Sequence, residues 1–342
     1  MLPGGGRRAP PSPRPREGPD AGLLPDVSGI GPVDALLVSH GHPDHVGALH
    51  LLAQLGNPPV WATEPVLAGL PAGLDRRILP PQGAVEIVDV AVATGRAGHA
   101  PGGVWLHLAV GDGLLYMGDV CVESPVYAFD APPRAGTIIL DASYGIYDEG
   151  MGACREGLLP FLSGPALLPV PAGGRGPEIA LLILSMGRPA PMMDDAVRGA
   201  LGRLLGPDAA YVRDEARDGL ARLFGDAPPP SSGPDRVVLA ADANATGGTA
   251  AALVAAWEEQ PGPPIVFTGY RAAGTPSQRL VESGRAVWRR WNVHPRLSDN
   301  AALVRSTGAR QVIPAFGDAR HLPVWREAFA PAAVTLDRTL DL

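Results

Sequence analysis

The sequence contains no lysine, only two cysteines and no long apolar run. All 28 basic residues are therefore arginines, which together with abundant Ala, Gly and Pro indicates a GC-rich genome rather than a mechanism. Cys121 and Cys154 are too few for a disulfide framework and lack the paired spacing of a zinc knuckle. No segment approaches the ~18 apolar residues of a membrane span, and no apolar stretch follows Arg7 and Arg8 as in a signal peptide. We therefore expect a soluble cytoplasmic protein with no membrane partner.

The composition is that of a folded, acidic chain. With 342 residues and 46% hydrophobic content, the chain can bury a large core and is long enough for two domains. The net charge of -7 argues against coating nucleic acid by charge alone, so a polyanion would need a local basic patch. Arg289, Arg290 and Arg296 are candidates for such a patch, although a solvated face is the alternative.

Hydrophobic periodicity predicts two regions after a Pro-rich tail or loop over 1–22. In the first, short apolar runs predict strands, a helix is expected over 45–55, and Gly111-Asp112-Gly113 predicts a hairpin turn. The first-region strands are expected at 33–38, 85–92, 104–110, 114–117 and 137–140. From about 147 to 285, strand-like and helix-like runs alternate, which predicts crossovers and a mainly parallel sheet.

The residues from Ser39 to His45 form the densest functional motif. His40, His42, Asp44 and His45 supply imidazole and carboxylate, the ligands of zinc, iron or manganese, directly after an apolar run. In extended backbone, residues two apart project to the same side, so the first two histidines can bind one ion. The other two side chains can turn toward a neighbouring ion. His99 and Asp119, each at the end of a strand, are expected to complete the site.

Four motifs in this order make the chain resemble the metallo-β-lactamase fold hydrolases. They are the His-x-His-x-Asp-His run at 40–45, Gly-His-x-x-Gly at 98–102, Gly-Asp at 118–119, and the acidic strand end Asp141-Ala-Ser-Tyr-Gly145. The last motif is similar to that of the β-CASP branch, which cuts RNA or DNA and inserts a second α/β domain at this point. The resemblance implies an α/β protein: an αββα sandwich, with its first strands missing, and an inserted parallel-sheet domain. The implied domains are 23–146, 147–285 for the insert, and 286–342 for the return.

The resemblance also implies roles for the candidate ligands. His40, His42 and His99 would hold one zinc, Asp44 and His45 part of a second, and Asp119 would bridge both. Asp44 is also a candidate catalytic residue. Zinc lowers the pKa of a bound water to about 7, which would supply a metal-bound hydroxide for attack on phosphorus.

Two stretches depart from the family pattern. The family's general-acid histidine and last zinc ligand correspond to Leu297 and Phe316 in this sequence. We therefore take His294, with Asp141, as candidate catalytic residues and His321 as a candidate ligand of the second zinc. There are two alternatives. Asp141 could be a strand-end carboxylate that is satisfied by backbone amides, and both histidines could be structural residues.

The expected activity is hydrolysis of phosphodiester bonds in RNA or single-stranded DNA. Five residues that precede helix-like segments could bind phosphate: Gly173, Gly174, Arg175, Gly247 and Gly248. Gly-rich helix starts are common, however, so the signal is weak. The alternatives are a metallohydrolase of a small ester, thioester or lactone, and a catalytically impaired scaffold. A second copy of the chain, as a homodimer, is a further candidate partner.

The segment before the first motif is short for this family, because only a Pro-rich stretch and one strand precede it. A sheet without its first strands would expose apolar core. We therefore expect a misassigned start codon rather than an incomplete domain.

Overall fold

The computed structural model describes residues 24–231, 233–259 and 262–336. The predicted tail over 1–22 and the question of the start codon lie outside these residues. The described chain divides into two compact units. The first unit contains residues 24–122, 128–148 and 294–336, and the second contains 123–127 and 149–293. Residues 286–293 thus lie in the second unit rather than in the return segment, because Trp291 packs in the second unit's core.

The strands of the described residues are short. In chain order they are β1 (Leu36–Leu37), β2 (Val60–Ala62), β3 (Arg76–Ile78), β4 (Gly83–Ile87), β5 (Val90–Arg96), β6 (Val104–Leu108), β7 (Leu114–Tyr116), β8 (Thr137–Asp141), β9 (Ala166–Val170), β10 (Met192–Met193), β11 (Val237–Ala241), β12 (Val266–Phe267), β13 (Val287–Trp288), β14 (Gln311–Ala315) and β15 (Ala333–Val334).

The α-helices of the same residues include several of only one or two turns. They are α1 (Pro43–Val46), α2 (Glu64–Gly69), α3 (Met151–Leu158), α4 (Arg175–Ser185), α5 (Asp195–Leu205), α6 (Asp214–Asp226), α7 (Gly248–Glu259), α8 (Pro276–Glu282), α9 (Leu297–Thr307) and α10 (Leu322–Ala328). Residues 49–55, 159–161, 209–211 and 319–321 form 3-10 turns.

The first unit contains two sheets. Its larger sheet has the order β15-β14-β8-β7-β6-β5-β4, with β8 parallel to both of its neighbours. The predicted Gly-Asp-Gly hairpin is confirmed, since β6 and β7 pair in antiparallel register. Ile138 and Leu140 of β8 are fully buried and pack in one core with Trp325 of α10. This packing fixes the strand end at Asp141.

The predicted strand over 85–92 is wrong. The chain reverses at Val88 and Asp89, both with positive φ (49° and 60°), so that β4 and β5 form an antiparallel hairpin. Two-residue turns of this kind normally carry Asn or Gly, and the Val-Asp pair gives no such signal. The pairing between the strands therefore determines this turn against local preference.

The predicted helix over 45–55 is replaced by two shorter pieces. α1 ends at Val46, and residues 49–55 form a 3-10 turn that ends at Gly56 with φ 82°. Leu52 packs against Val60 and Ala62 of the small parallel sheet β1-β2-β3, so apolar contacts still bury this face. Strands β2 and β3 and helix α2 were not predicted, because each is only three to six residues long.

The second unit is an α/β structure with parallel strands, as predicted. Strands β10, β11 and β9 form one parallel sheet, β12 and β13 pair in parallel, and a parallel bridge joins Leu167 to Ile265. Helices α4, α5 and α6 pack together over the fully buried β9. The α/β fold class is therefore confirmed. Over the described residues, the longest helices fall short of the length that would cross a bilayer.

A buried carboxylate in α4 makes the stability of the second unit depend on pH. Glu178 is 2% exposed and accepts hydrogen bonds from Ser124 Oγ at 2.5 Å and Trp291 Nε1 at 2.6 Å. Burial raises the pKa of Glu178 from its ordinary value of 4.5 to about 7, against the opposing effect of these donors. The folded state thus holds this proton more tightly than the unfolded chain. The stabilisation is complete below pH 4.5 and is lost as the pH rises through about 7.

We expect Glu178→Gln to flatten this pH dependence, because glutamine has no proton to lose. The wild-type free energy of unfolding should fall by about 3 kcal/mol more than that of the variant as the pH rises across this interval. Denaturant unfolding at a series of pH values measures the difference. The exposed Glu156→Gln variant is the control and should keep the wild-type slope. A Glu178→Gln protein with an unchanged slope would contradict the prediction.

Candidate metal centre

The Ser39–His45 motif follows β1 and runs into the first turn of α1. His40 is 1% exposed, and its Nδ1 lies 3.2 Å from Ser39 Oγ. His42 immediately precedes α1 in extended backbone, and Pro43 begins that helix. Because proline is favoured at the first helical position, the sequence turns the chain here and leaves Asp44 and His45 on the first turn.

A first group of ligands contains His40, His42, His99 and Asp119. One ligand atom from each lies within 4.8 Å of all the others. His99 Nε2 is 3.1 Å from His42 Nδ1 and 3.5 Å from Asp119 Oδ2. His40 Nε2 is also 3.5 Å from Asp119 Oδ2. Three imidazole nitrogens and a carboxylate oxygen thus converge on one point.

Glycines place His99 and Asp119 at this point. Gly98 has φ 70°, and a Cβ there would collide with the carbonyl oxygen of Cys121. Gly118 has φ 58°, and a Cβ there would lie 2.7 Å from Ser39 Oγ. Only glycine allows both the positive φ and the close approach, which explains why a glycine precedes each ligand.

A second group contains Asp44, His45 and Asp119. His45 Nε2 lies 3.2 Å from Asp119 Oδ1 and 3.7 Å from Asp44 Oδ2. The two carboxylate oxygens of Asp119 therefore face different groups, Oδ2 toward the first and Oδ1 toward the second. The ring of Phe316 lies 5.3 Å from that of His45, is 46% exposed and stands on a backbone with φ 63°.

A third group joins Asp119 to Asp141 and His294. His294 Nδ1 is 2.8 Å from Asp141 Oδ2 and 3.8 Å from Asp119 Oδ2. Asp141 is fully buried and accepts hydrogen bonds from the backbone amides of Val120 and Ser143, each at 3.1 Å. Backbone amides and His294 thus share the Asp141 carboxylate.

Burial and neighbouring charges shift the pKa values of this cluster. Burial lowers the pKa of His42 well below its usual value, and the neighbouring His99 lowers it further. Burial raises the pKa of Asp119, but His294 and the other histidines outweigh it and hold that pKa well below the usual range. Burial also lowers the pKa of His294, yet Asp141 and Asp119 raise it to about 9. The cluster therefore combines a neutral imidazole with an ionised carboxylate, the states in which both side chains bind metal.

The structure resolves the two departures from the family pattern differently. His294 reaches Asp141 directly, because residues 289–296 precede α9 without helical structure, whereas Leu297 is the first residue of α9. His321 is not among the metal-binding groups of the described residues. It lies on a 3-10 turn, with its ring 5.7 Å from that of Trp325, so this geometry does not support its prediction as a ligand.

The residues of the first group fit a metal ion. His40 Nε2 is buried and, among the described residues, has no hydrogen-bond partner. A buried polar atom without a partner costs about 1–3 kcal/mol, a cost that coordination removes. Ser39 beside Nδ1 leaves Nε2 free to offer its lone pair, as an outer hydrogen bond usually does for a ligating histidine. The cluster is therefore able to hold metal.

The candidate phosphate-binding residues lie in the second unit. Gly174 has φ 64° and donates its backbone amide to Tyr127 Oη at 2.8 Å, and Arg175 begins α4 and is 8% exposed. Gly173 lies between β9 and Gly174, and Gly247 and Gly248 lie between β11 and α7. Because β9 and β11 are parallel neighbours, both loops lie at the same edge of the sheet.

Sequence reasoning missed the aromatic neighbours of the site. Tyr144 has its ring 5.2 Å from that of His294. Burial raises the pKa of the Tyr116 hydroxyl far above its usual value, and Asp119 adds to this effect. Tyr144 belongs to the Asp-Ala-Ser-Tyr-Gly segment, so its position beside a strand-end carboxylate was the available signal.

A substitution of Phe316 tests how much metal the second group can bind. We expect Phe316→His to raise the equivalents of tightly bound metal, because it would add an imidazole beside a group of only three ligands. Histidine is also tolerated at positive φ better than most residues. Elemental analysis after dialysis measures the equivalents, with Phe316→Leu as the control that adds no ligand. Equal metal content in both variants would contradict the prediction.

Residues 17–150 match the family profile described as the metallo-beta-lactamase superfamily. The chain is 25% identical over 330 residues to transcription termination factor FttA of Methanosarcina mazei, which covers 77% of this chain and 52% of the relative. It is 26% identical over 320 residues to FttA of Methanocaldococcus jannaschii, covering 75% and 50% of the two chains.

A bacterial relative carries a different name. The chain is 29% identical over 195 residues to Ribonuclease TTHA0252 of Thermus thermophilus, covering 46% of this chain and 44% of the relative. The chain thus spans about half the length, or less, of these curated relatives.

Proposed function

From the metallo-beta-lactamase superfamily domain that the chain carries over residues 17–150, we propose that the protein is a zinc-dependent hydrolase of RNA phosphodiester bonds. Its relatives by sequence are named transcription termination factors and a ribonuclease, which supports the β-CASP-like branch and a nucleic acid substrate. Single-stranded DNA is the second substrate to be tested.

The shared carboxylate of Asp119 carries this proposal. Its two oxygens face two adjoining ligand groups, the arrangement of a carboxylate that bridges two ions. His40, His42 and His99 would hold one ion with Asp119, and Asp44 and His45 would hold the other. Imidazole and carboxylate ligands favour zinc among the metals that such sites take. Bound ions would supply an activated water and neutralise charge on the phosphate.

The remaining residues supply proton transfer. Asp141 Oδ2 accepts from His294 Nδ1 at 2.8 Å and so orients the ring, which makes Nε2 the nitrogen that would donate to a substrate. We assign His294 as the general acid that passes its Nε2 proton to the leaving oxygen as the P–O bond breaks. Proton donation of this kind contributes about 10² to 10⁴ in rate. Asp141 is then the positioning residue.

Substrate binding is assigned to the second unit. The Gly173–Gly174 and Gly247–Gly248 loops precede helices, and Arg175 adds a positive charge next to the first of them, although the Gly174 amide itself donates to Tyr127. Helix starts and arginine are both favourable for phosphate groups. We also predict that the protein is cytoplasmic and that it forms a homodimer.

Purified full-length protein tests the proposal. We expect elemental analysis to show zinc, and cleavage of a labelled single-stranded RNA that stops on chelation and returns with added zinc. His42→Ala should abolish cleavage, because His42 lies within 3.1 Å of His99 in the first group. Metal-loaded protein that leaves both RNA and single-stranded DNA intact would sink the substrate assignment.

Phe316 favours a second candidate function. Its ring lies beside His45 and supplies no ligand, so the second group has only three ligands. In such a centre the first group would hold its ion firmly and the second group would not. A single-ion site of this kind would suit a metallohydrolase of a small ester, thioester or lactone. Turnover of such esters with no cleavage of nucleic acid would establish this candidate, whereas metal content near zero would favour a catalytically impaired scaffold.

A further inference from the structure

The residue that follows β14 has a strained backbone conformation. Phe316 has φ 63°, in the left-handed region that bulky side chains seldom occupy. Asparagine and aspartate are enriched in this region because their short polar side chains bond locally, whereas phenylalanine has no such compensation. Strain of this kind persists only where the surroundings impose it, and it is concentrated at active sites and ligand-binding positions. The conformation of Phe316 therefore points to a function of its side chain.

The backbone is fixed on both sides of Phe316. Before it, Ala315 belongs to β14, and its carbonyl oxygen accepts a hydrogen bond of 2.9 Å from the amide of Ala142. After it, a Cβ at Gly317 would lie 2.6 Å from the carbonyl oxygen of Ala142 and 2.8 Å from the ring of the buried Trp325. Close packing of the neighbouring segments, rather than a preference of phenylalanine, thus determines where this side chain starts.

The ring of Phe316 lies beside the second ligand group and is open to solvent. Its centroid is 5.3 Å from that of the His45 ring, and the two ring planes meet at 68°. In an edge-to-face contact of this kind, at least one face of the Phe316 ring is not used by His45. The residue is 46% exposed, whereas the other aromatic residues of this region, Trp325 and Phe329, are each 1% exposed. An accessible aromatic face therefore adjoins the metal centre.

We propose that Phe316 is a stacking platform for one base of the RNA substrate, beside the phosphate that is cleaved, and so contributes to substrate specificity. Every base has a flat π face, and an accessible aromatic side chain binds it in single-stranded nucleic acid. Phe316 carries no charge and offers no metal ligand, so its contribution is to the base rather than to the phosphate or the ions. The inference rests on the proposed function for its choice of RNA.

Cleavage by metal-loaded full-length protein provides the first test. The substrates are a labelled oligoadenylate and the same RNA with one abasic nucleotide at each position in turn, and kcat/KM is measured for each bond. For the wild type, we expect loss of the stacked base to slow cleavage of the neighbouring bond about tenfold. Phe316→Leu should cleave the intact RNA about tenfold more slowly, and the abasic nucleotide should then have no further effect, because the two changes remove the same contact.

Matched variants separate stacking from other effects. Phe316→Trp keeps an aromatic face and should retain both the wild-type rate and the effect of the abasic nucleotide. Phe316→Leu should keep the wild-type metal content, since neither side chain is a ligand. If it does not fold, Phe316→Asn replaces it, because asparagine tolerates positive φ. Ile78→Ala removes an exposed apolar residue from β3 of the same unit and should cleave as the wild type does.

A binding measurement tests the contact without cleavage. Chelator-treated full-length protein is mixed with single-stranded RNA that carries 2-aminopurine, a base whose fluorescence falls on stacking, at each position in turn. We expect the wild type to quench the fluorescence at one or two neighbouring positions. Phe316→Leu should lose this quenching, and Phe316→Trp should retain it.

The two measurements distinguish this inference from the nuclease function. Cleavage in which every abasic position has the same effect on the wild type and on Phe316→Leu overturns the inference and leaves the nuclease function standing. A change in the metal content of Phe316→Leu would assign its effect to the ligand group and also overturns the inference. Quenching that depends on Phe316, without cleavage by metal-loaded protein, would support the platform while rejecting the nuclease function. The absence of both overturns both.

Discussion

Replacement of Asp119 by alanine is expected to remove bound metal and hydrolysis together. Asp119 is the one residue common to all three ligand groups, and its two oxygens face different groups. Loss of an outer hydrogen-bond partner already costs about 10- to 100-fold in affinity or activity, so loss of a shared ligand must cost more. Elemental analysis and RNA cleavage, measured on the same preparation, test this result.

Two variants separate the metal effect from a general loss of structure. Asp119→Asn keeps the shape of the buried side chain but not its charge, and it should also lose metal. Asp112→Ala removes an exposed aspartate of the same unit and should keep both metal and activity. An Asp119→Ala protein with full metal content and wild-type cleavage would exclude the shared site.

Replacement of His294 by alanine is expected to reduce RNA cleavage by about 10² to 10⁴ with metal content unchanged. The reason is geometric, because Asp141 holds His294 Nδ1 at 2.8 Å beside Asp119 and leaves the other nitrogen for a leaving group. Asp141→Asn should lose part of the rate, since an amide is a weaker acceptor for this ring. Single-turnover cleavage and elemental analysis supply the two measurements.

The leaving group distinguishes an acid from a ligand. On bis(p-nitrophenyl) phosphate, whose leaving group departs without protonation, His294→Ala should lose little activity. His50→Ala, which removes a histidine outside all three groups, should match the wild type on both substrates. Equal losses on the two substrates, or loss of metal, would show that His294 is a ligand or a positioning residue instead.

The first ligand group could be predicted from the sequence because its chemistry is local. His40 and His42 are two positions apart in extended backbone. His99 and Asp119 each follow a glycine, and the turns at these two positions can be formed only by glycine. The Gly-Asp-Gly hairpin was predicted for the same reason, since the residues of the turn carry the signal. In these places, the conformation depends on the residues themselves.

Other features depend on contacts between distant residues. The turn at Val88 and Asp89 is imposed by the pairing of β4 with β5, and the segment 49–55 forms a 3-10 turn while its Leu52 packs on the small sheet. Neither conformation is favoured by the local residue types. Short strands such as β2 likewise cannot be predicted from their own residues, because they are defined by their pairing within the sheet.

The sequence by itself therefore determined the α/β class, the hairpin and the residues able to bind a first ion. Only the tertiary structure decided how the later segments meet them. It brought His294 to Asp141 across 153 positions and placed Phe316 beside His45. The reason is that a ligand within one turn is positioned by its own backbone, whereas a partner from a remote segment is positioned by the packing of the helices and strands on either side of it.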